Sequence, residues 1–223
     1  MKDAVFSDKQ AHVQDFAFDQ KVASVFDDMV DRSVPMYADF QRMITEMVGD
    51  YATPGSSIYD LGCATGTTML SLDKVVDPTS KLIGVDLSTE MLDQCRMPLE
   101  QGARRVPYEL GCADLNGSMQ IKNASVVLMV LTLQFVRPLQ REILMQSIFR
   151  GMNDRGCLIL VEKVLGEHSD FNRYFIKHYY DMKRRNGYSD LEIAQKREAL
   201  ENVLVPYTLT ENWEMLRRAG YRS

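Results

Sequence analysis

The sequence predicts an α/β fold built on a mostly parallel, doubly wound sheet. Short apolar runs rich in β-branched residues alternate with stretches of helical periodicity, which is typical of a parallel sheet covered by helices on both faces. One of these runs leads into a glycine turn and another ends in an aspartate. Both features fall at positions where such sheets bind ligands. The 223 residues, 45% of them hydrophobic, are enough for one such domain with an appendage.

The elements are predicted in chain order from apolar spacing and from Gly, Pro and capping signals. Two helices come first, at 19–32 and 35–50, and are expected to cover the sheet or a ligand. The strands are expected at 57–61, 81–85, 106–110, 125–131 and 157–161. The remaining helices are expected at 67–76, 88–101, 139–151, 171–186, 190–201 and 210–219. The whole is interpreted as one domain, 1–223, with a weakly ordered segment 1–17, a helical lid 18–50, a core of βα units 51–163 and a helical region 164–220.

Composition excludes several classes of function. The net charge of −5 and the absence of a long basic run argue against direct nucleic-acid binding. The four cysteines stand apart without metal-ligand spacing, which indicates reduced thiols and predicts no metal site. The first 20 residues lack the apolar core of a signal peptide, and no run approaches the roughly 18 apolar residues of a membrane span. A cytoplasmic protein is therefore expected.

The glycine turn after the first strand narrows the kind of ligand. Its pattern is Asp60-x-Gly62-x-x-x-Gly66, whereas a dinucleotide fingerprint starting at Gly62 would need glycine where Ala64 and Thr67 stand. Glycine lets the backbone approach a ligand and adopt positive φ. The pattern resembles the first motif of S-adenosylmethionine-dependent methyltransferases, and so predicts their Rossmann-like fold.

Two aspartates follow neighbouring strands. Asp86 ends the second strand, twenty residues after Gly66, and a carboxylate there can accept hydrogen bonds from both hydroxyls of a ribose. Asp114 follows the third strand, where it could accept from an adenine amine or serve only as a turn residue. The sequence shows no nucleophile–base pair. A sulfonium cofactor carries its own electrophile, so that the protein would mainly bind and orient it.

Further motifs carry a closer resemblance over roughly 18–220. They are Phe18-Asp19-x-x-Val22-Ala23-x-Val25-Phe26-x-Asp28-Met29, Arg32-Ser33-Val34-Pro35-x-Tyr37, Tyr59-Asp60-Leu61-Gly62-Cys63, Thr132-Leu133-Gln134-Phe135 and Gln195-Lys196-Arg197-x-x-Leu200-Glu201-Asn202-Val203. Together they resemble carboxy-S-adenosyl-L-methionine synthases. The resemblance implies that S-adenosyl-L-methionine and prephenate become carboxy-S-adenosyl-L-methionine and phenylpyruvate. The sulfonium methyl would lose a proton and capture the carbon dioxide lost by prephenate, and the product would serve tRNA wobble uridine modification by a separate enzyme.

The resemblance also implies roles for individual residues. Tyr37 would lie in the pocket lid, and Arg197, reaching in from the neighbouring subunit of a homodimer, would face the new carboxylate; these two are expected to serve catalysis. The cofactor would be held by Tyr37, Gly62, Cys63, Ala64, Asp86, Leu87, Asp114, Leu115, Val130 and Arg197. Prephenate is the expected small-molecule partner, and neither a membrane nor a nucleic acid is expected to bind directly.

Two departures from the family pattern keep alternatives open. Val130 stands where the family has a pocket-lining Asn, and no final strand pair follows the last predicted helix, so that five strands and a helical C-terminal insertion are expected. The alternatives are an ordinary S-adenosylmethionine-dependent methyltransferase of small molecules and a non-catalytic adenosyl-ligand-binding protein.

Overall fold

The structure, a computed structural model, describes residues 1–117 and 119–222. Within them a five-stranded sheet consists of β1 (Ser57–Leu61), β2 (Lys81–Asp86), β3 (Tyr108–Cys112), β4 (Ala124–Val130) and β5 (Met152–Val161). The strands lie in the order β3-β2-β1-β4-β5 and each pairing is parallel. The predicted α/β fold is thereby confirmed. The order reverses between β1 and β4, and ligands of such sheets bind outside the carboxyl ends of the strands at that point.

Helices cover both faces of the sheet. They are α1 (Gln20–Ala23), α2 (Phe26–Ser33), α3 (Tyr37–Tyr51), α4 (Thr67–Leu72), α5 (Thr89–Glu100), α6 (Pro138–Gly151), α7 (Ser169–Arg185), α8 (Asp190–Leu200) and α9 (Leu209–Ala219), with a short 3-10 helix at Leu133–Phe135. Helices α3, α4 and α5 pack on the face to which Ile58 and Leu128 point. Helices α6 and α9 pack on the other, against Tyr59 and Met129. Successive side chains along each strand point to opposite faces of the sheet, and so contribute to two separate hydrophobic cores.

Several predicted boundaries are wrong, each for a local reason. The single helix 19–32 is two helices, α1 and α2, because the chain turns at Ser24–Val25 and Val25 N–H bonds back to Val22. Strand β5 begins at Met152, which pairs with Ala124, and not at 157 as predicted, so that residues 153–156 belong to an irregular start of the strand. Two short strands, β6 (Val164–Leu165) and β7 (Tyr207–Thr208), form a small second sheet that was not predicted.

The N-terminal segment is packed, contrary to the expectation that 1–17 is weakly ordered. It contains no helix or strand, yet Asp3 and Phe6 are buried. Asp3 accepts a 2.6 Å hydrogen bond from the Tyr188 hydroxyl, and the Gln195 side chain bonds to the backbone of Gln10 and Phe6. Distant residues of the helical region therefore fix this segment. None of the helices in the described residues has the length and apolar character needed to cross a membrane.

Candidate functional site

The glycine turn at the end of β1 contacts the carboxyl ends of β2 and β4. The Gly62 and Cys63 N–H groups donate to the Val85 carbonyl at the end of β2, over 2.7 and 3.0 Å. Gly62 has φ +83°, and a Cβ added to it would lie 2.2 Å from Oγ1 of Thr132, just past β4. A side chain at Gly62 would therefore push β1 and β4 apart, which explains why glycine is required here.

Asp86 is held by the backbone at both carboxylate oxygens. Its Oδ2 accepts from Ala64 N–H and its Oδ1 from Ser88 N–H, each over 2.9 Å. Ala64 itself has φ +46°, a left-handed conformation that is uncommon without glycine. Burial raises the pKa of Asp86, while these N–H groups oppose the rise. Each oxygen can accept more than one hydrogen bond, so the oriented carboxylate can still bind a diol.

Asp60 is a second carboxylate at this site, and it was not among the predicted binding residues. It lies on β1 with 3% of its surface exposed, and among the described residues its Oδ2 is a buried atom without a hydrogen-bond partner. Burial, and then the charge of Asp86, raise its pKa to about 7. Buried polar atoms normally have partners, so a ligand that brings a cation or a donor would fit. A carboxylate inside an otherwise apolar strand was the signal available in the sequence.

We expect Asp60→Asn to stabilise the ligand-free protein at alkaline pH. The folded-state pKa of about 7 exceeds the ordinary 3.8, so the unfolded chain loses this proton first as pH rises. Stability should therefore fall between about pH 4 and 7, by up to about 4 kcal/mol. Denaturant unfolding at pH 4.5 and 8 should show a much larger gain for the Asn variant at pH 8 than at pH 4.5. Exposed Asp39→Asn is the control, and parallel pH profiles for the wild type and Asp60→Asn would contradict the assignment.

The helical lid contacts the turn directly. The Thr65 hydroxyl donates to Oδ1 of Asp27 on α2 over 2.6 Å. Tyr37, at the start of α3, has a pKa raised to about 12 by burial, with the negative charges of Asp27 and Asp60 acting in the same direction and the side chains of Thr67 and Gln41 in the opposite one. The Tyr37 hydroxyl thus lies beside the glycine turn. The role of Tyr37 as a lid residue stays a prediction.

A chain segment ahead of α1 crosses the same edge of the sheet. The Ser88 hydroxyl donates to the Phe18 carbonyl over 2.6 Å, and the Phe18 ring meets the Phe135 ring edge-on at 5.2 Å between centroids. Because Ser88 follows β2 and Phe135 follows β4, Phe18 spans the crevice between them. The site is therefore bordered on one side by two half-buried aromatic rings.

Comparisons with known proteins identify the family. A family model described as "Methyltransferase domain" matches residues 58–156, which include the turn and β1 to β4. A protein of Methylococcus capsulatus named carboxy-S-adenosyl-L-methionine synthase is 56% identical over 222 residues, covering 99% of this chain and 92% of its own length. The chain belongs to the carboxy-S-adenosyl-L-methionine synthase family. A second member of that name, from Idiomarina loihiensis, is 40% identical over 99% of this chain and 91% of its own length.

Solved structures agree on the fold of this synthase family member. A putative O-methyltransferase from Nostoc punctiforme superposes with a TM-score of 0.63 at 15% identity, over 92% of this chain and 54% of its own. The YcgJ protein from Bacillus subtilis gives a TM-score of 0.59 at 14% identity, over 82% and 68%. At such identities the likeness concerns the fold alone. The Rossmann-like methyltransferase fold and membership of a transferase family are thus both established.

The residues expected from the synthase family to meet adenine lie at the end of β3. The backbone there meets β2, since Ala113 N–H donates to the Asp86 carbonyl over 3.0 Å. Asp114 is exposed, and its Oδ1 accepts from the backbone and side-chain amides of Asn116, which is the geometry of a turn aspartate. Leu115 is buried, whereas Leu87 is 63% exposed. An adenine role of Asp114 therefore stays a prediction.

The segment after β4 is bound by a further carboxylate, which was not predicted from the sequence. Glu162, just past β5, accepts from the N–H groups of Leu133 and Gln134 over 2.8 and 2.9 Å, and burial raises its pKa to about 7. It fixes the 3-10 helix that carries Phe135. Val130, in place of the synthase family's Asn, packs against the apolar core beside α3 to α5. Its side chain adds no hydrogen-bonding group here.

Arg197 does not join this site within one chain. It is exposed on α8, whereas its neighbours Gln195 and Lys196 are buried. Among the described residues no hydrogen bond or ion pair holds its guanidinium. An exposed, unpaired arginine is compatible with the family expectation that it serves a neighbouring subunit. The described ranges also hold no cluster of three or more His, Cys, Asp or Glu side chains suited to a metal ion.

Proposed function

We propose that this chain is a carboxy-S-adenosyl-L-methionine synthase that uses S-adenosyl-L-methionine and prephenate. The observation that carries the proposal is the 56% identity, over 99% of this chain, with a protein of that name. In the proposed reaction, prephenate loses carbon dioxide and its ring hydroxyl to give phenylpyruvate. The methyl carbon of the sulfonium loses a proton and bonds to the carbon dioxide. The proton and the hydroxide leave as water, so that all atoms balance.

The buried Asp60 and the half-buried Asp86 support a cationic adenosyl ligand. Asp86 is oriented to accept from the ribose hydroxyls, in the role that acidic residues at the end of a second strand commonly have. Asp60 offers an unpaired oxygen to the ammonium of the methionine portion. A carboxylate with a raised pKa gains most from such a cation, because the ligand's charge replaces the missing hydration. Gly62, Cys63 and Ala64 would bring the backbone against the methionine portion, and Tyr37 would close the pocket.

A homodimer with Arg197 acting across the interface is part of the proposal. Helix α7 shows Phe171, Tyr174 and Phe175 on one face at i, i+3 and i+4, and these side chains are 61%, 60% and 58% exposed. Only Lys183 is buried within α7, all of which the structure describes. Three adjacent exposed aromatic residues mark an interaction surface. We assign it to a second copy, because Arg197 lies exposed on the next helix and needs a partner's pocket to meet a cofactor.

The product is proposed to leave for a separate enzyme in the cytoplasm that modifies the tRNA wobble uridine. No feature of the chain favours direct tRNA contact, since the net charge is −5. Arg197 would recognise the new carboxylate through the planar fork of its guanidinium. The same contact would distinguish the synthase from an ordinary methyltransferase, which has no carboxylate to bind.

The ligand carried by freshly purified protein tests the proposal. We expect mass spectrometry of the released ligand to find carboxy-S-adenosyl-L-methionine. Incubation of stripped protein with S-adenosyl-L-methionine should yield the same product only when prephenate is added. Plain cofactor or its demethylated form, with no prephenate-dependent product, would indicate the methyltransferase suggested by Val130. Protein that binds neither cofactor would indicate a role unrelated to adenosyl ligands.

A further inference from the structure

Two lysines are buried between the helical region and the N-terminal segment. Lys183 on α7 is 6% exposed and Lys196 on α8 is 7% exposed. Lys163, two residues past β5, is exposed and close enough for its charge to act on Lys183. We call these three residues the lysine cluster. Lysine is rarely buried without a partner because its ammonium loses its hydration.

The negative charge within the protein does not balance the lysine cluster. Oδ2 of Asp3 lies 4.0 Å from Nζ of Lys196 and already accepts from the Tyr188 hydroxyl over 2.6 Å. Nζ of Lys183 lies 4.5 Å from the centroid of the Tyr179 ring. In the described ranges no carboxylate lies within 4.0 Å of Nζ of Lys183. Three lysines thus share a single nearby aspartate.

Another cation near the cluster is already paired. The Arg32 guanidinium lies over the Tyr188 ring and bonds to Asp28 through Nε over 2.9 Å. Asp28 therefore does not compensate the lysines. Burial, followed by the positive charges of Lys196 and Lys163, lowers the pKa of Lys183 to about 7. Burial also lowers the pKa of Lys196 to about 8, against the opposing effect of Asp3. When all three lysines are protonated they exceed the single aspartate by two positive charges, and this excess fits a bound dianion.

Lys163 places one end of the cluster at the carboxyl edge of the sheet, where the candidate site also lies. Lys163 N–H donates to the Gln134 side chain in the 3-10 helix after β4, and Leu131 N–H donates to the Val161 carbonyl at the end of β5. An apolar pair in place of Lys183 and Lys196 would cost the fold less than two buried cations. Their presence near the site therefore indicates a ligand rather than a contribution to stability.

We propose that Lys183, with Lys196 behind it and Lys163 at the entrance, binds the two carboxylates of the dianionic second substrate. This inference rests on the proposed function, in which that substrate is prephenate. The adenosyl ligand is bound by aspartates and the carboxylate donor by lysines, so each substrate meets the opposite charge. Lys183 supplies the deepest contact, since it is buried and, unlike Lys196, has no carboxylate within 4.0 Å of its Nζ among the described residues.

Isothermal titration of the full-length protein with prephenate, and separately with S-adenosyl-L-methionine, tests the role of Lys183. Lys183→Met should weaken prephenate binding about thirtyfold or more, as expected when one partner of a buried charge pair is removed. The affinity for S-adenosyl-L-methionine should stay within about twofold. Lys177→Met, an exposed position on the same helix, is the matched control. Lys183→Arg should keep part of the affinity.

Proton uptake gives a readout that a purely structural role would not change. A dianion favours the protonated lysines, so prephenate binding to the wild type at pH 8 should take up protons, measured by titration in buffers of different ionisation enthalpy. Lys183 faces Lys196, Lys163 and Asp3, and the uptake should shrink in Lys183→Met. Absence of uptake by the wild type would overturn the inference even if the variant fails to fold.

The remaining outcomes separate this inference from the proposed function. If prephenate binding depends on Lys183 but no carboxylated product forms, the proposed reaction is wrong and the proposed anion site is supported. If prephenate binds equally to Lys183→Met, or not at all to the wild type, the anion site is wrong whatever the activity. A fall in kcat at unchanged prephenate affinity would make Lys183 a proton acceptor, which also overturns the inference.

Discussion

Arg197→Ala should remove most of the preference of the protein for carboxy-S-adenosyl-L-methionine over S-adenosyl-L-methionine. A buried carboxylate that loses its guanidinium partner typically costs about 3–5 kcal/mol, and the plain cofactor has no group there to lose. Arg197→Lys should restore only part, because an ammonium lacks the two parallel donors. Competitive binding of the two cofactors measures this. Glu198→Ala, at the next exposed position of α8, is the control.

Two outcomes would contradict this role of Arg197. Equal weakening of both cofactors would mean that Arg197 supports the fold or the dimer. An unchanged affinity for both cofactors would mean that Arg197 is a solvated helix residue that contacts no cofactor, in its own chain or in a partner.

Asp86→Ala should weaken both cofactors alike, in contrast to Arg197→Ala. The substitution leaves two ribose hydroxyls without acceptors and should cost about 2–3 kcal/mol of binding free energy. The structure adds a second cost, because Ala64 and Ser88 N–H lose their shared acceptor. Asp86→Asn keeps one acceptor oxygen and should lose less. Calorimetric titration with each cofactor measures these affinities, and Asp93→Ala, at an exposed position, is the control. An unchanged affinity of Asp86→Ala for both cofactors would rule out the ribose contact.

Mixing the Arg197→Ala and Asp86→Ala variants, each expected to have reduced activity, tests whether Arg197 acts across the dimer. When Arg197→Ala and Asp86→Ala protomers exchange, a mixed dimer has one site with both residues intact. Activity should therefore reappear on mixing if Arg197 serves the neighbouring subunit. If Arg197 serves its own chain, each mixed dimer contains two defective sites and the mixture should remain as inactive as its parts.

The central part of the fold could be predicted because its signals are local. The apolar runs of β1, β2 and β4 fall within one or two residues of their predicted bounds, and burial on both faces explains this agreement. The start of β5 was missed because Met152 joins the sheet only through Ala124, a pairing that periodicity does not reveal. Strands β6 and β7 have two residues each, too few for any alternation.

The site was predictable where a motif sets the geometry and not where distant segments meet. Gly62 and Asp86 lie together as expected, since parallel strands end at one edge. Asp60 was quoted as part of the motif, but its unpaired oxygen depends on how completely β1 is buried. The lysine cluster was invisible for another reason. Lys183 and Lys196 are ordinary helix residues in sequence, and only the packing of α7, α8 and the N-terminal segment excludes water from them.

The contacts of the N-terminal segment also have a consequence for biosynthesis. Asp3 and Gln10 find Tyr188 and Gln195 some 185 residues later in the chain. Domains generally fold as they emerge from the ribosome, but these contacts cannot form until Tyr188, just before α8, and Gln195, within α8, have been synthesised. The sheet can therefore assemble while the first residues are still unattached. The cover over the carboxyl edge and the environment of the lysines become complete only once α8 has emerged, so that the sheet precedes the binding capacity of the nascent chain.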